Sequence, residues 1–240
     1  MSIDIESAFD ISIIITGHRE GLLSAMSIKS ALRCAELAAA KNLSCEFIVV
    51  LDNVDLCTDE TVSNAFANID HVHVIKTEYG DPGLARNRGL SVATGTCSTL
   101  LDADDLWSEN WLVDAFPFIQ HRPDAIAHSA CNVAFGGWSN VWWHMDSELD
   151  SFDRHYLDWG NYWDALIFAR TDLLRKYPYR ANDMILGFGH EDWDWNRITI
   201  DAGVPHKPVP DTIHFKRKRF DSQSMKVYAV EGSPWPRDVR

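Results

Sequence analysis

Basic residues are in short supply in this chain. Its 240 residues carry 22 Lys and Arg against 35 Asp and Glu, a formal net charge of −13. A nucleic-acid or anionic-membrane surface needs a basic face, so this balance argues against both. A ligand bearing phosphates would need help from a cation or from a few placed Arg and Lys. Cysteine is sparse too: Cys34, Cys45, Cys57, Cys97 and Cys131 are odd in number and widely spaced. They form no CxxC pair and no Cys/His cluster at zinc spacing, which excludes a disulfide framework and leaves buried free thiols in a reducing compartment. No apolar run approaches the roughly 18 residues of a membrane-spanning helix, and the first residues lack the basic and apolar segments of a signal peptide. The expectation is a cytoplasmic protein with no integral membrane segment, peripheral at the inner face of a membrane at most. Internal repeats and low-complexity linkers are also missing, so residues 1–240 read as one domain whose composition shifts near residue 106.

What the chain does contain is an ordinary hydrophobic content of 46% and ten tryptophans. Most of the tryptophans fall between Trp138 and Trp163 and at Trp193 and Trp195, so the second half is the aromatic one. The first half alternates strand and helix signals. Ile11–Thr16 is a β-branched run that reads as a buried strand. Residues 22–41 turn helical, with Ile28, Ala31, Leu32, Ala35 and Ala39 on one stripe. Cys45–Leu51 is a second buried strand ending at Asp52. A helix over 58–68 capped by Thr58 and a strand over 71–76 follow. Pro82 opens a helix that Gly95 closes. Repeated β-α-β units of this kind make a parallel sheet with helices on both faces. Past residue 107 the pattern predicts a helix over 108–120, strands over 125–133, 138–144 and 163–169, and a short helix over 171–177. A helix over 190–202 closed by Gly203 and a last strand over 212–216 complete it.

The densest chemistry lies at Ser98-Thr99-Leu100-Leu101-Asp102-Ala103-Asp104-Asp105. A buried strand ends abruptly in three carboxylates, and the i, i+2 spacing lets Asp102 and Asp104 face one point. Two convergent carboxylates repel unless a cation lies between them, and hard oxygen ligands suit Mg²⁺ or Mn²⁺. The plainer reading is a polar strand-to-helix turn in which Asp105 or Ser108 caps the next helix. Glu191-Asp192 follows Gly187-Phe188-Gly189-His190 at a helix start, where an acidic pair gains from the helix dipole whatever else it does. His214 is a lone histidine near a strand end. Lys216-Arg217-Lys218-Arg219 is the one basic cluster, either a solvated tail or a mobile loop able to close over a diphosphate.

Taken together, these features resemble the nucleotide-sugar-binding half of an inverting GT-A glycosyltransferase of family 2. The resemblance rests on Gly83 to Gly95, with its Gly-x-x-x-Ala-Arg-Asn-x-Gly helix and Ala-Thr-Gly turn, and on Leu100 to Asp105. Ile11–Glu20 and Phe47–Thr61 support it, and Glu191-Asp192 stands in the place of the family's catalytic pair. It implies an α/β GT-A fold, a Rossmann-like and mostly parallel sheet with a smaller mixed acceptor-side sheet. The sugar-donor half would span about 1–107, the acceptor and catalytic half about 108–215, and a mobile basic loop and tail 216–240. The implied activity is metal-dependent transfer of a sugar from a UDP- or GDP-type nucleotide sugar to a carbohydrate or lipid-linked acceptor, in polysaccharide or glycoconjugate synthesis.

Residue by residue, the resemblance implies that Asp102 holds the ribose side of the nucleotide and Asp104 coordinates Mn²⁺ or Mg²⁺, with His214 as a further ligand. Thr16, His18, Glu20 and Asp52 would line the base and ribose pocket, and Arg86 would lie near the base or phosphates. Arg217 and Arg219 would fold over the diphosphate. Asp192 would be the general base, Glu191 would shape the acceptor pocket, and Trp193 and Trp195 would touch the acceptor. The second strand departs from the family pattern, since Asp52-Asn53-Val54-Asp55 replaces an acidic pair followed by Gly-Ser. A nucleotidyltransferase is the competing enzyme reading, although Thr16-Gly17-His18-Arg19-Glu20 matches its glycine-rich phosphate loop poorly. A nucleotide- or carbohydrate-binding module without turnover is the third reading, and it would not need Asp192.

Overall fold

The computed structural model describes residues 8–219, 227 and 232–234. Among these residues nine strands, numbered in chain order, form one twisted sheet in the order β3-β2-β1-β4-β8-β6-β9-β5, with β7 paired to β6. Strands β1 (Phe9–Gly17), β2 (Cys45–Asp52), β3 (Val72–Thr77) and β4 (Gly95–Asp102) are mutually parallel, joined by helices α1 (Leu23–Ala39), α2 (Leu56–Ala65) and α3 (Pro82–Val92). The mixed part comprises β5 (Leu106–Trp107), β6 (Ile126–Gly136), β7 (Asn140–Trp143), β8 (Phe168–Arg170) and β9 (His206–Lys218). It is continuous with the parallel part, because β8 runs antiparallel between β4 and β6.

Alternate residues of the buried strands feed two cores, as a sheet covered on both faces requires. Ile11, Ile13 and Ile15 pack with α1, α2 and α4 (Trp111–His121) on one face. Ile14, Ile48, Val50 and Leu100 pack with α3, α5 (Thr171–Lys176) and α6 (Glu191–Asp201) on the other. Helix α3 lies close on the sheet: a Cβ on Gly89 would fall 2.4 Å from Ile14 Cγ2, so the last glycine of the Ala-Arg-Asn-x-Gly segment sets how near the helix can come.

Several boundaries differ from the sequence reading. The second helix begins at Leu56, and its cap is Asp55, which accepts a hydrogen bond from Thr58 N at 2.8 Å; Thr58 is inside the helix. Helix α3 ends at Val92, and Gly95 opens β4 rather than closing the helix, lying so near β1 that a Cβ would meet Ser12 N at 2.5 Å. Neither Asp105 nor Ser108 caps α4, which starts three residues after Ser108; Ser108 Oγ accepts from Ile213 N instead. The strand expected over 163–169 shrinks to β8, and the one expected over 212–216 is the 13-residue β9.

The cysteines are all free; Cys34, Cys97 and Cys131 are buried and Cys57 is exposed. Among the described residues no helix is long and apolar enough to cross a membrane.

Candidate active site

The carboxyl ends of β1 and β4 lie side by side, with Thr16 opposite Asp102 in the register. This is where open α/β sheets bind their ligands. Asp102 accepts from Thr16 Oγ1 at 3.1 Å and from Arg86 Nη2 at 2.9 Å. Burial alone would raise its pKa, but the neighbouring Arg86 and Lys216 cations outweigh that and hold it at about 2. Asp104, two residues on, is in the opposite state. Burial and the adjacent Asp105 push it up to about 7, although the Arg219 guanidinium lies 3.0 Å away. Carboxylates outnumber cations around this strand end, which is the electrostatic condition that a bound divalent ion relieves. Among the described residues no three His, Cys, Asp or Glu side chains converge as ligands. Asp102 and Asp104, the side chains of both still partly exposed, fit a hard cation that draws its remaining ligands from phosphate oxygens and water.

His214 does not join them. It is 0% exposed, stands edge-on to Trp111 with ring centroids 4.5 Å apart, and burial drives its pKa down to about 3. The charged groups it feels are Asp164, His144 and Lys216. The metal-ligand role expected of His214 therefore finds no support, because strand β9 carries its ring into the core.

The next residue on that face of β9 is Lys216, and it is the hub of the site. Its ammonium lies 2.7 Å from Asp105, 3.6 Å from Asp164 and 3.7 Å from Asp102, and these carboxylates raise its pKa against the cost of burial. Lys216, Arg217 and Lys218 thus belong to a strand and not to the mobile loop and tail expected over 216–240, of which residues 220–226, 228–231 and 235–240 lie outside the described residues. Asp105 also accepts from Arg217 N at 2.7 Å, and Arg217 Nε donates to the Asp104 carbonyl at 3.2 Å. Arg219 reaches Asp104 and stands 3.7 Å from Glu20. Both arginines therefore lie beside the strand end, where a diphosphate would approach.

Arg86 turns inward instead of toward a nucleotide. It is 4% exposed, with Nη1 donating to Glu191 at 2.6 Å and Nη2 to Asp102. Its guanidinium also lies 5.6 Å from the Tyr179 ring centroid. Asp52 is likewise engaged internally: its carboxylate accepts from Thr77 Oγ1, Tyr79 N and Asp81 N, bracing the loop after β3. His18 Nδ1 bonds the Asp52 carbonyl, and Glu20 accepts from His18 N, so the first loop is tied to the end of β2. From Asp52 a continuous polar chain runs through Asp81 and Asn182 to Glu191, then through Arg86 to Asp102. It fastens the start of α6 to the strand end.

That helix start is strained. His190, the residue before Glu191, adopts φ 59°, a left-handed conformation costing a non-glycine residue about 1–3 kcal/mol. The turn delivers the acidic pair to the site with unequal fates. Glu191 is buried and consumed by Arg86 and Asn182. Asp192 accepts only from the backbone N of Trp193, at 2.8 Å, and has no side-chain partner among the described residues. Burial and the Glu191 charge raise its pKa to about 6 against the pull of Arg86 and Lys216. A carboxylate so poised, facing a cluster of cations, can take a proton near neutral pH.

The two tryptophans beside it diverge. Trp195 is a core residue, 1% exposed, stacked on Tyr179 and donating its indole N–H to the Tyr177 carbonyl. The acceptor contact expected of it is excluded by that burial. Trp193 is half-buried and donates to the Leu157 carbonyl at 2.9 Å. Sequence reasoning missed Lys216, Asp105 and Asp164 as members of the site. The i, i+2 spacing of His214, Lys216 and Lys218 was the available signal, since it marks one face of a strand.

The model of the family described as glycosyl transferase family 2 matches residues 12–182. No curated protein sequence matches the chain. Among solved structures, S. aureus TarS 1-349 in complex with UDP-GlcNAc is similar, with TM-score 0.62 at 20% identity over 92% of this chain and 64% of that one. The mannosyltransferase PcManGT from Pyrobaculum calidifontis, in complex with GDP-Man and Mn²⁺, gives TM-score 0.61 at 15% identity over 87% of this chain and 56% of that one. This chain spans less than two thirds of either structure. At these identities the likeness is one of fold, and the shared architecture is GT-A.

Proposed function

Since the chain belongs to glycosyl transferase family 2, whose model covers most of it, we propose that it is an inverting, metal-dependent glycosyltransferase. It moves a sugar from a nucleotide-diphosphate sugar to an acceptor hydroxyl in polysaccharide or glycoconjugate synthesis. The observation that carries this reading is the split between Glu191, locked to Arg86, and Asp192, left with a raised pKa beside the β4 strand end.

In this reading Asp192 accepts the proton of the acceptor hydroxyl as its oxygen attacks the anomeric carbon. The bond to the diphosphate oxygen breaks on the opposite face, so the configuration inverts. Thr16, His18 and Glu20 border the nucleotide end of the cleft, and Asp102, fixed by Arg86 and Thr16, presents its carboxylate to the ribose side. Arg217 and Arg219 meet the phosphates with charge-assisted hydrogen bonds, Arg219 exchanging Asp104 for a phosphate oxygen. A Mn²⁺ or Mg²⁺ ion held by Asp104, with Asp102 adjacent, would supply Lewis-acid neutralisation of the departing diphosphate. TarS was solved with UDP-GlcNAc and the mannosyltransferase with GDP-Man and Mn²⁺; a UDP- or GDP-linked sugar is the corresponding donor here. Such an enzyme acts in the cytoplasm, peripherally at the inner membrane face where its acceptor is lipid-linked.

The test is turnover of UDP- and GDP-sugars with Mn²⁺ by the wild type and by Asp192→Asn. Loss of roughly 10²-fold or more in turnover with nucleotide binding retained is expected, the usual scale of a lost general base. Equal turnover in a folded variant would overturn the assignment.

A further inference from the structure

Beyond the carboxylates, the aromatic half holds a hollow that the proposed chemistry does not use. It encloses about 450 Å³ between strand β7 and the segment 156–162. Trp138, Trp142, Trp143, Tyr156 and Tyr162 line it, and Asn140, Asn161 and Lys218 supply polar groups. The Lys218 ammonium lies 5.7 Å from the Trp142 ring centroid and 6.0 Å from that of Trp138. Trp143 is 73% exposed. The stripe continues outward, with Tyr162 and Tyr156 rings 4.4 Å apart and Tyr156 and Trp159 rings 4.9 Å apart, Trp159 being 74% exposed.

Two connections tie this hollow to the candidate base. Asn161 accepts from Asn196 Nδ2 at 3.1 Å, and Asn196 stands four residues after Asp192 on α6, hence on the same helix face. Lys218 follows Lys216 at i+2 on β9, so both project from the same side of the strand. Asn196 thus ties the hollow to the helix that carries Asp192, and Lys218, which feels the Asp192 charge, ties it to the strand that carries Lys216.

We propose that this hollow is the acceptor subsite and that its ligand is a saccharide chain rather than a lone hydroxyl compound or an apolar tail. The proposal rests on the glycosyltransferase reading for its role, while the site itself stands on its own geometry. A sugar ring has an apolar C–H face and a rim of hydroxyls. Indole and phenol faces match the first, and carboxamides with an ammonium match the second. A hydrocarbon chain would desolvate the Asn140 carboxamide and the Lys218 ammonium and offer them no hydrogen bond in return, at a cost that disfavours it. The volume suits a ring or two, since pockets for small ligands run from about 300 to 1,000 Å³. The outward stripe to Trp159 gives further rings a surface to lie on.

The experiment uses tetrasaccharides of glucose, of galactose, of mannose and of N-acetylglucosamine with the full chain, read by titration calorimetry and saturation-transfer NMR. Donor turnover with UDP- and GDP-sugars plus Mn²⁺ is measured in parallel on the wild type. At least one tetrasaccharide is expected to bind. Trp142→Ala and Trp143→Ala should weaken it roughly tenfold or more, the scale of one lost aromatic anchor, and Trp143→Phe should retain most of the affinity. Trp143 is exposed enough that its variant folds even where the Trp142 variant does not. No binding by any tetrasaccharide, or equal binding by the wild type and Trp143→Ala, overturns the proposal. Sugar-donor turnover without saccharide binding removes the subsite alone. Saccharide binding without any sugar-donor turnover keeps the site and removes the glycosyl-transfer reading.

Discussion

Two adjacent carboxylates at the start of α6 meet different surroundings, and that difference decides what each can do. Glu191 is ion-paired with a buried guanidinium 2.6 Å away, whereas burial and Glu191 itself lift Asp192 to about 6. A general base works only when deprotonated, so with donor and metal saturating, which keeps Asp104 in its charged form, kcat should rise through an acid limb with an apparent pKa near 6, and the limb should vanish in Asp192→Asn. A pH–rate profile of the wild type that is flat from pH 5 to 8, a window of about three units around the expected value, would remove Asp192 from that role. The same shift has a stability consequence of opposite sense. A carboxyl whose folded pKa exceeds its ordinary value of 3.8 favours the folded state when protonated, and that contribution is lost as pH rises through about 6. Asp192→Asn should therefore be more stable than the wild type by on the order of 1 kcal/mol above that pH, with the gain fading toward pH 4. Urea melts at both ends of the window measure it.

At the scale of elements, Arg86 on α3 couples β4 to α6 and is, among the described residues, the one cation in contact with both Asp102 and Glu191. Arg86→Ala would leave Glu191 buried without its counter-charge. The expected cost is about 3–5 kcal/mol by chemical denaturation, well beyond a surface ion pair. A loss under about 1 kcal/mol would mean that the polar chain from Asp52 to Asp102 does not hold the helix in place. The same elements show how far the sequence could be read. Strands β1, β2 and β4 are legible because both faces are covered, so they appear as unbroken apolar, β-branched runs. Asp102, Asp104 and the Glu191-Asp192 pair are legible because they stand at element ends, where local spacing sets geometry. Strand β9 was only half visible. Pro208 and Pro210 break its pattern, and an irregularity opposite Ser129 and Cys131, with Asp211 at φ 60°, absorbs the extra residues. With that register hidden, Lys216 read as part of a loop, although pairing of β9 with β6 and β5 carries it beneath Asp102, Asp105 and Asp164. Arg86 misled for a related reason: its neighbour Glu191 is 105 residues away, and no local pattern announces such a contact.

For the molecule as a whole, the sheet is one body, because β8 stitches the parallel strands to the mixed ones. Anything that binds the strand end should therefore raise the melting temperature of the entire chain. With a net charge of −13, the protein repels a nucleoside diphosphate at long range. Close in, Lys216 is already committed to three carboxylates and Arg219 to Asp104. Binding should depend on an added divalent cation that lets Arg219 turn to the phosphates. UDP or GDP at about 100 times its dissociation constant stabilises the native state by about 2.7 kcal/mol. For a domain of this size that is a rise of roughly 5–10 °C in Tm. The full rise is expected with Mn²⁺ or Mg²⁺, little of it with chelator, and little in Asp104→Ala with either. The nucleotide-and-metal titration must be compared with metal alone, since a cation held by Asp104 without nucleotide would give its own smaller shift. Equal shifts with metal and with chelator, for both nucleotides, would show that the strand-end carboxylates bind no cation and that the arginines alone carry the diphosphate.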